Sequence, residues 1–182
     1  MSELETLRNG FVAFVDGLWW GLRDTVGALS MYEGYAGGFR QMGKEAAEKA
    51  GAKGAVAAAK TAVDVLNAIG LTAVQEEKEV VVKSCPLWDR ILERGLEYAF
   101  HVEEICWKPL LTGIGEVAGA KPRMETALRL VHLEKAKGDY KKGKAKLALE
   151  KGTISKEEYD TQVAQLNQVL ENLPAEGRYR FG

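Results

Sequence analysis

Leu71-Thr-Ala-Val-Gln-Glu-Glu-Lys-Glu-Val-Val-Val-Lys-Ser-Cys-Pro86 is where the period of this chain changes. Leu71 to Gln75 and Glu79 to Lys83 flank the polar Glu76-Glu77-Lys78, and Val80, Val81 and Val82 are β-branched, so the stretch predicts a hairpin. Everything upstream has a helical period. Between Glu3 and Leu22, the residues Leu7, Phe11, Phe14, Val15, Leu18, Trp19 and Leu22 make one broad apolar face that a partner must cover. Asp24 to Lys49 carries Val26, Leu29, Met31, Tyr35, Phe39 and Met42, with Gly27, Gly34, Gly37, Gly38 and Gly43 among them. Glycine costs a helix about 0.8–1 kcal/mol relative to alanine. The surplus therefore points to close approach by a ligand or another backbone, helix–helix packing being the simpler reading. Ala55 to Ile69 predicts a third helix, stopped by Gly70. The expected fold class is α+β, with N-terminal helices packed on a small antiparallel sheet and a helical hairpin at the C-terminus.

Downstream, Pro86 closes the second strand or opens the next helix, and Trp88, Ile91, Leu92, Leu96 and Phe100 continue at helical spacing. Val102 to Val117 predicts a helix kinked near Pro109. Arg123 to Lys137 is expected as a strand, because Leu128, Leu130 and His132 alternate with their neighbours and Gly138-Asp139 looks like a turn. Met124, Leu128 and Val131 also fit a helix. Ser155-Lys-Glu-Glu158 is a capping box with Ile154 and Tyr159 as its staple, and Tyr159, Val163, Leu166, Leu170 and Leu173 then form a narrow seam. These readings divide the chain into a domain of residues 1–139 and a helical tail of residues 140–182.

The 182 residues are 46% hydrophobic and 28% charged, which suits a packed core and excludes disorder. Lys and Arg number 25 against 26 Asp and Glu, a formal net charge of −1, so no whole-chain basic field exists for nucleic acid. The apolar run Phe11 to Tyr32 is interrupted by Asp16, Arg23 and Asp24, each costing about 2.5–3.5 kcal/mol at a bilayer centre, so no membrane span is expected. With no signal peptide and only two cysteines, Cys85 and Cys106, a cytoplasmic location is expected.

Glu97, His101 and Glu104 share a helix face with metal-ligand spacing, but three candidates without a second matching helix read better as a solvated face. Neither a metal nor a cofactor is expected. Cys85 or Cys106 can act as nucleophile with His101 as base. His101 and Cys106 lie roughly 140° apart on a helix, so Cys85 would supply the thiol. Buried cysteines more often serve as small hydrophobes. The aromatic supply suggests a pocket for an apolar small molecule, lined by Tyr35, Phe39, Trp88, Cys106 and Trp107. Trp19 and Trp20, about 100° apart, cannot both face one core, so one is expected to meet a partner.

Met31-Tyr-Glu-Gly-Tyr-Ala-Gly-Gly38, Leu66-Asn-Ala-Ile-Gly-Leu71, Val80-Val-Val-Lys-Ser-Cys-Pro86, the helix around Cys106, Gly119-Ala-Lys-Pro-Arg-Met-Glu125 and Lys137-Gly-Asp139 follow one another in an order that resembles the hydrocarbon-binding 4-vinyl-reductase-type domain and its L-2-amino-thiazoline-4-carboxylate hydrolase-like relatives. The resemblance covers about residues 5–140. It implies helices on an antiparallel sheet around a small-molecule pocket, commonly in a homodimer. After Gly138-Asp139 and after Cys106 the family's further cysteine and acidic residue are replaced by lysines and by Trp107-Lys108-Pro109. The resemblance therefore implies binding, or an accessory subunit of a larger complex, ahead of a thiol-dependent hydrolase of a small cyclic C–N or C–S substrate. A structural scaffold subunit is the third reading. Leu147 to Tyr159 resembles a short SHOCT-type C-terminal domain, which implies association.

Overall fold

Ser2 starts the first helix: its hydroxyl accepts the Glu5 N–H, and the Glu5 carboxylate accepts the Ser2 N–H, satisfying two donors that a helix end leaves bare. The structure is a computed structural model that describes residues 2–94 and 101–182. Helix α1, Glu3–Val26, ends at Gly27, whose φ of 82° suits glycine, and α2, Ala28–Ala50, ends at Gly51 in the left-handed conformation. Helix α3 spans Gly54–Ala68, and Asn67 near its end exchanges two hydrogen bonds with the backbone of Ala73, docking it on the sheet.

The hairpin stands where the sequence places it. Strand β1, Thr72–Glu76, pairs antiparallel with β2, Glu79–Ser84, around the Glu77-Lys78 turn. Val80, Val81 and Val82 are all buried, so β2 is covered on both faces. Pro86 opens helix α4, Pro86–Arg94. A π-helical turn, Glu103–Trp107, precedes α5, Lys108–Ala118. The expected kink near Pro109 takes this form because proline has no N–H to donate to the Ile105 carbonyl. Leu96 and Phe100, expected on the preceding helix, lie outside the described residues.

Two expectations are corrected beyond this point. Strand β3 covers only Pro122–Thr126, and the rest of the expected strand is helix α6, Leu128–Glu150, which runs straight through Gly138-Asp139. The local turn signal loses to packing. Val131, Gly138 and Ala145 are the buried residues of α6 at a seven-residue spacing, and a Cβ on Gly138 would stand 2.7 Å from a methyl of Leu170 on the next helix. Glycine is there to let that helix in. Helix α7, Lys156–Glu171, begins at the expected Ser155/Glu158 capping box, with both bonds formed.

The second correction concerns the last residues, expected as part of the helical tail. Gly177–Phe181 is strand β4, inserted between β2 and β3 to give the antiparallel order β1-β2-β4-β3. Tyr179 and Phe181 point into the core, while Arg178 binds Glu76, Glu79 and Glu176, and Arg180 binds Glu79. The compact units are accordingly residues up to Ala127 together with Glu176–Gly182, and Leu128–Ala175; the expected boundary at 139/140 falls inside α6. The first unit is the α+β body. The second is the α6/α7 helical hairpin. Among the described residues, no helix is long and apolar enough to cross a membrane.

Candidate functional site

Helix α2 has two working sides. Along one, Gly43 lies so close to α5 that a Cβ would overlap the Leu110 carbonyl oxygen, and Gly113 of α5 meets the Arg40 carbonyl in the same way. These glycines serve helix–helix packing. Along the other, Ser30, Gly34 and Gly38 form a stripe at four-residue spacing, and a Cβ on Gly34, Gly37 or Gly38 would meet nothing within 4 Å. This stripe floors an open groove of about 460 Å³ between α1 and α2. Its walls are Phe11, Phe14, Val15, Leu18 and Leu22 from α1, and Met31, Tyr35, Phe39 and Met42 from α2.

An aromatic ladder holds the inner wall. Trp19 stands edge-on to Tyr32 at 5.7 Å and to Tyr35 at 6.1 Å, Tyr35 leans on Phe39 at 6.4 Å, and Phe39 meets Trp107 edge-on at 5.5 Å. The Tyr35 hydroxyl donates to the Val15 carbonyl, so its polar end is occupied by α1. Burial pushes this phenol well above its ordinary range, with Cys106 and Asp16 adding to the shift. It is a neutral, fixed wall.

Of the five residues expected to line a pocket, Tyr35 and Phe39 do line this groove. Trp88, Cys106 and Trp107 do not: all three are buried in the core, and Trp107 reaches the groove only through the Phe39 ring. This groove therefore lies between two helices, and neither Trp88 nor Trp107 is among its lining residues. The α1 side, missed as a pocket wall, was already visible as the apolar face in need of a cover. Trp20 is accounted for within the chain, since the guanidinium of Arg23 lies 4.1 Å and that of Arg94 5.0 Å from its ring centre. Arg94 also joins Arg90 in binding the buried carboxylate of Asp16, at 2.7–2.9 Å, which ties α1 to α4.

The thiols sit apart from the groove. Cys85 precedes α4, and the backbone N–H groups of Trp88 and Leu87 favour its thiolate, yet burial outweighs them and pushes the thiol from about 9 up to about 12. Cys106, in the π-helical turn, is pushed well above its ordinary range by burial, by Cys85 and by Glu103. The carboxylate of Glu103 is itself buried here, and Tyr179 from β4 feels it too, a polar cluster that spacing alone could not reveal because its members come from distant segments. His101 stands edge-on to Tyr32 at 6.4 Å, and its carbonyl accepts the Glu104 and Ile105 N–H groups that start the π turn. The expected set of Cys85, Cys106 and His101 thus offers protonated, enclosed sulfurs, which suits packing better than nucleophilic attack. Iodoacetamide at neutral pH should label the native thiols on the order of a hundredfold or more slowly than the urea-unfolded chain. Because the folded Cys85 thiol holds its proton above the unfolded value, its contribution to stability is full below pH 9 and is lost as pH rises through about 12. Glu97, of the expected Glu97/His101/Glu104 face, lies outside the described residues. No protein-family model, curated protein or solved structure matches the chain.

Proposed function

We propose that the chain binds an apolar small molecule, aromatic or hydrocarbon-like, in the groove between α1 and α2. The observation that carries this reading is the open trough over Ser30, Gly34 and Gly38, walled by apolar side chains and by a tyrosine whose hydroxyl is already committed to Val15. Its volume falls within the roughly 300–1,000 Å³ typical of small-molecule sites. Helical glycines that pack against nothing cost about 0.8–1 kcal/mol each, an expense that an occupant of the trough would justify. Recognition here is by shape and by aromatic edges. Nothing in the lining acts on a bond, so the reading is of a binding or accessory role without catalysis. The α6/α7 hairpin is then a candidate for association with a larger enzyme.

Titration with the uncharged probe N-phenyl-1-naphthylamine, following energy transfer from the protein's tryptophans, tests this. Saturable binding with one site per chain is expected. Gly38→Leu should weaken it at least about tenfold by filling the floor, without lowering the thermal midpoint, because the new side chain enters open space and leucine favours a helix. Absence of saturable binding, or a Gly38→Leu variant that binds as the parent does, rules the groove out.

A further inference from the structure

The α6/α7 hairpin carries a second and larger groove of about 850 Å³, lined by residues between Lys141 and Val169. One wall is α6 with the turn after it, where Lys141, Lys144, Ala148 and Lys151 recur at spacings of three and four and so share a side. The other is α7, where Gln162, Gln165, Leu166 and Val169 share a side in the same way. The turn between the walls is fixed: the Gly152 and Thr153 N–H groups donate to the Leu149 and Ala148 carbonyls at 2.9 Å. Between Tyr140 and Lys151 stand five lysines and one acid, Glu150. The ion pairs of this segment lie away from the groove, Lys137 with Glu134 and Lys142 with Asp139. Among the described residues, no carboxylate comes within 4.0 Å of the ammonium groups of Lys141, Lys144 or Lys151, and none lines the groove. Lys144 lies 5.2 Å from the centre of the exposed Tyr140 ring, which steadies it and leaves its charge unneutralised.

We infer that this groove receives an acidic amphipathic helix of a partner protein, with its apolar face on Leu147, Leu166 and Val169 and its carboxylates toward Lys141, Lys144 and Lys151. The inference gives a surface and a partner chemistry to the association proposed above for the hairpin, on which it rests, and is independent of what the α1/α2 groove holds. Charge selects the occupant. Lys141 and Lys151 are ten residues apart, about 15 Å of helix, so the cations are spread along nearly three turns and not gathered at one end. A fatty acid or another monoanion would leave most of them unanswered. The facing wall offers amides in place of charge, which matches a helix that is acidic along one flank. Nucleic acid also repeats its anions, but single strands are held by aromatic rings on which the bases stack, and none lines this groove among the described residues. A flat bilayer surface does not enter a trough whose lining includes Ala145 at only 6% exposure. The same hairpin of a second copy would bring lysine against lysine.

The test is fluorescence anisotropy of the full chain with a labelled, end-capped peptide of about four helical turns, with leucines at helical spacing and glutamates beside them. Saturable one-to-one binding is expected. Lys141→Glu plus Lys151→Glu should weaken it at least about tenfold, and this double variant should instead take up a second peptide with lysines in place of the glutamates, which the parent rejects. A variant that fails to fold cannot produce that exchange, and both positions are exposed. Leu147→Gln plus Val169→Gln, at positions 55% and 62% exposed, should weaken the acidic peptide by a similar factor with no change of charge. No uptake of the acidic peptide, uptake indifferent to either double variant, or equal uptake of the lysine peptide by the parent overturns the inference. So does preferential binding of oleate, of an oligothymidine or of phosphatidylcholine–phosphatidylglycerol vesicles. The naphthylamine titration on the same samples separates the two grooves. Probe binding without peptide uptake would leave the small-molecule reading standing alone, and peptide uptake by a chain that binds no probe would leave the hairpin groove without it.

Discussion

Replacing Leu128–Ala175 by a short Gly/Ser turn leaves a folded, cooperatively unfolding domain, whereas removing only Glu176–Gly182 abolishes the fold. The reason is how β3 and β4 meet. Thr126 is paired with Arg178, and the Thr126 hydroxyl donates to the Glu176 carbonyl at 2.9 Å, so the chain leaves the sheet and returns to it at neighbouring points. The α6/α7 hairpin is inserted at the tip of a β-hairpin, and a few turn residues can bridge the gap. The last residues are indispensable in turn. Strand β4 bridges β2 to β3, the Phe181 side chain is wholly buried, and Gly182 exchanges two backbone hydrogen bonds with Lys121. Phe181→Ala alone should cost about 3–5 kcal/mol, a large part of the ~5–15 kcal/mol by which domains are stable. Urea unfolding followed by circular dichroism reads both effects. A truncation at Ala175 that unfolds at the parent's midpoint would contradict the sheet order, and a hairpin-deleted chain that cannot fold would contradict the division into units. The hairpin-deleted domain should also still bind the naphthylamine probe, because every groove residue lies between Phe11 and Met42.

Gly43→Ala and Gly113→Ala should each destabilise the protein by about 1–3 kcal/mol, the overpacking cost of a methyl group that the core cannot admit. On a chain of this size that corresponds to a thermal midpoint roughly 2–12 °C lower. Each methyl would overlap a carbonyl oxygen of the facing helix, Leu110 in one case and Arg40 in the other, and backbone cannot move aside as a flexible side chain does. The helices must part. Losing a glycine from a helix interior should by itself gain about 0.8–1 kcal/mol, so the measured loss understates the clash. Gly37→Ala, in the same helix but facing open space, should show that gain unopposed. Opposite signs at two glycines of one helix would establish which side of α2 is core. Equal effects would mean that α2 and α5 do not cross in this way.

Much of this was legible in the chain. The capping boxes at Ser2 and Ser155 are both local chemistry, and the second is the more legible because its S-x-x-E stands before a clean seam. The valine run at 80–82 announces a strand for the same reason of locality, and the structure buries all three. Strand β4 escaped notice although Arg178-Tyr-Arg-Phe181 alternates as a half-buried strand should; so short a segment stands out only when its neighbours in the sheet are known. Gly138-Asp139 misled because glycine reads as a turn in isolation, and only the arrival of Leu170 explains it as a helix contact. For the site, Tyr35 and Phe39 line the groove, whereas Trp88 and Trp107 look the same in sequence and are spent on the core.

The order of residues alone determined the helices other than α6, the hairpin, the breadth of the apolar face on α1 and the glycine surplus on α2, since each follows from periodicity or backbone preference within a few turns of chain. Tertiary structure decided which glycines are crushed against a neighbour and which stand open, where the C-terminal strand inserts, and that both thiols are enclosed. Those outcomes depend on which distant surfaces meet, because burial, close approach and a raised thiol pKa are properties of the neighbours a residue acquires and not of the residue itself.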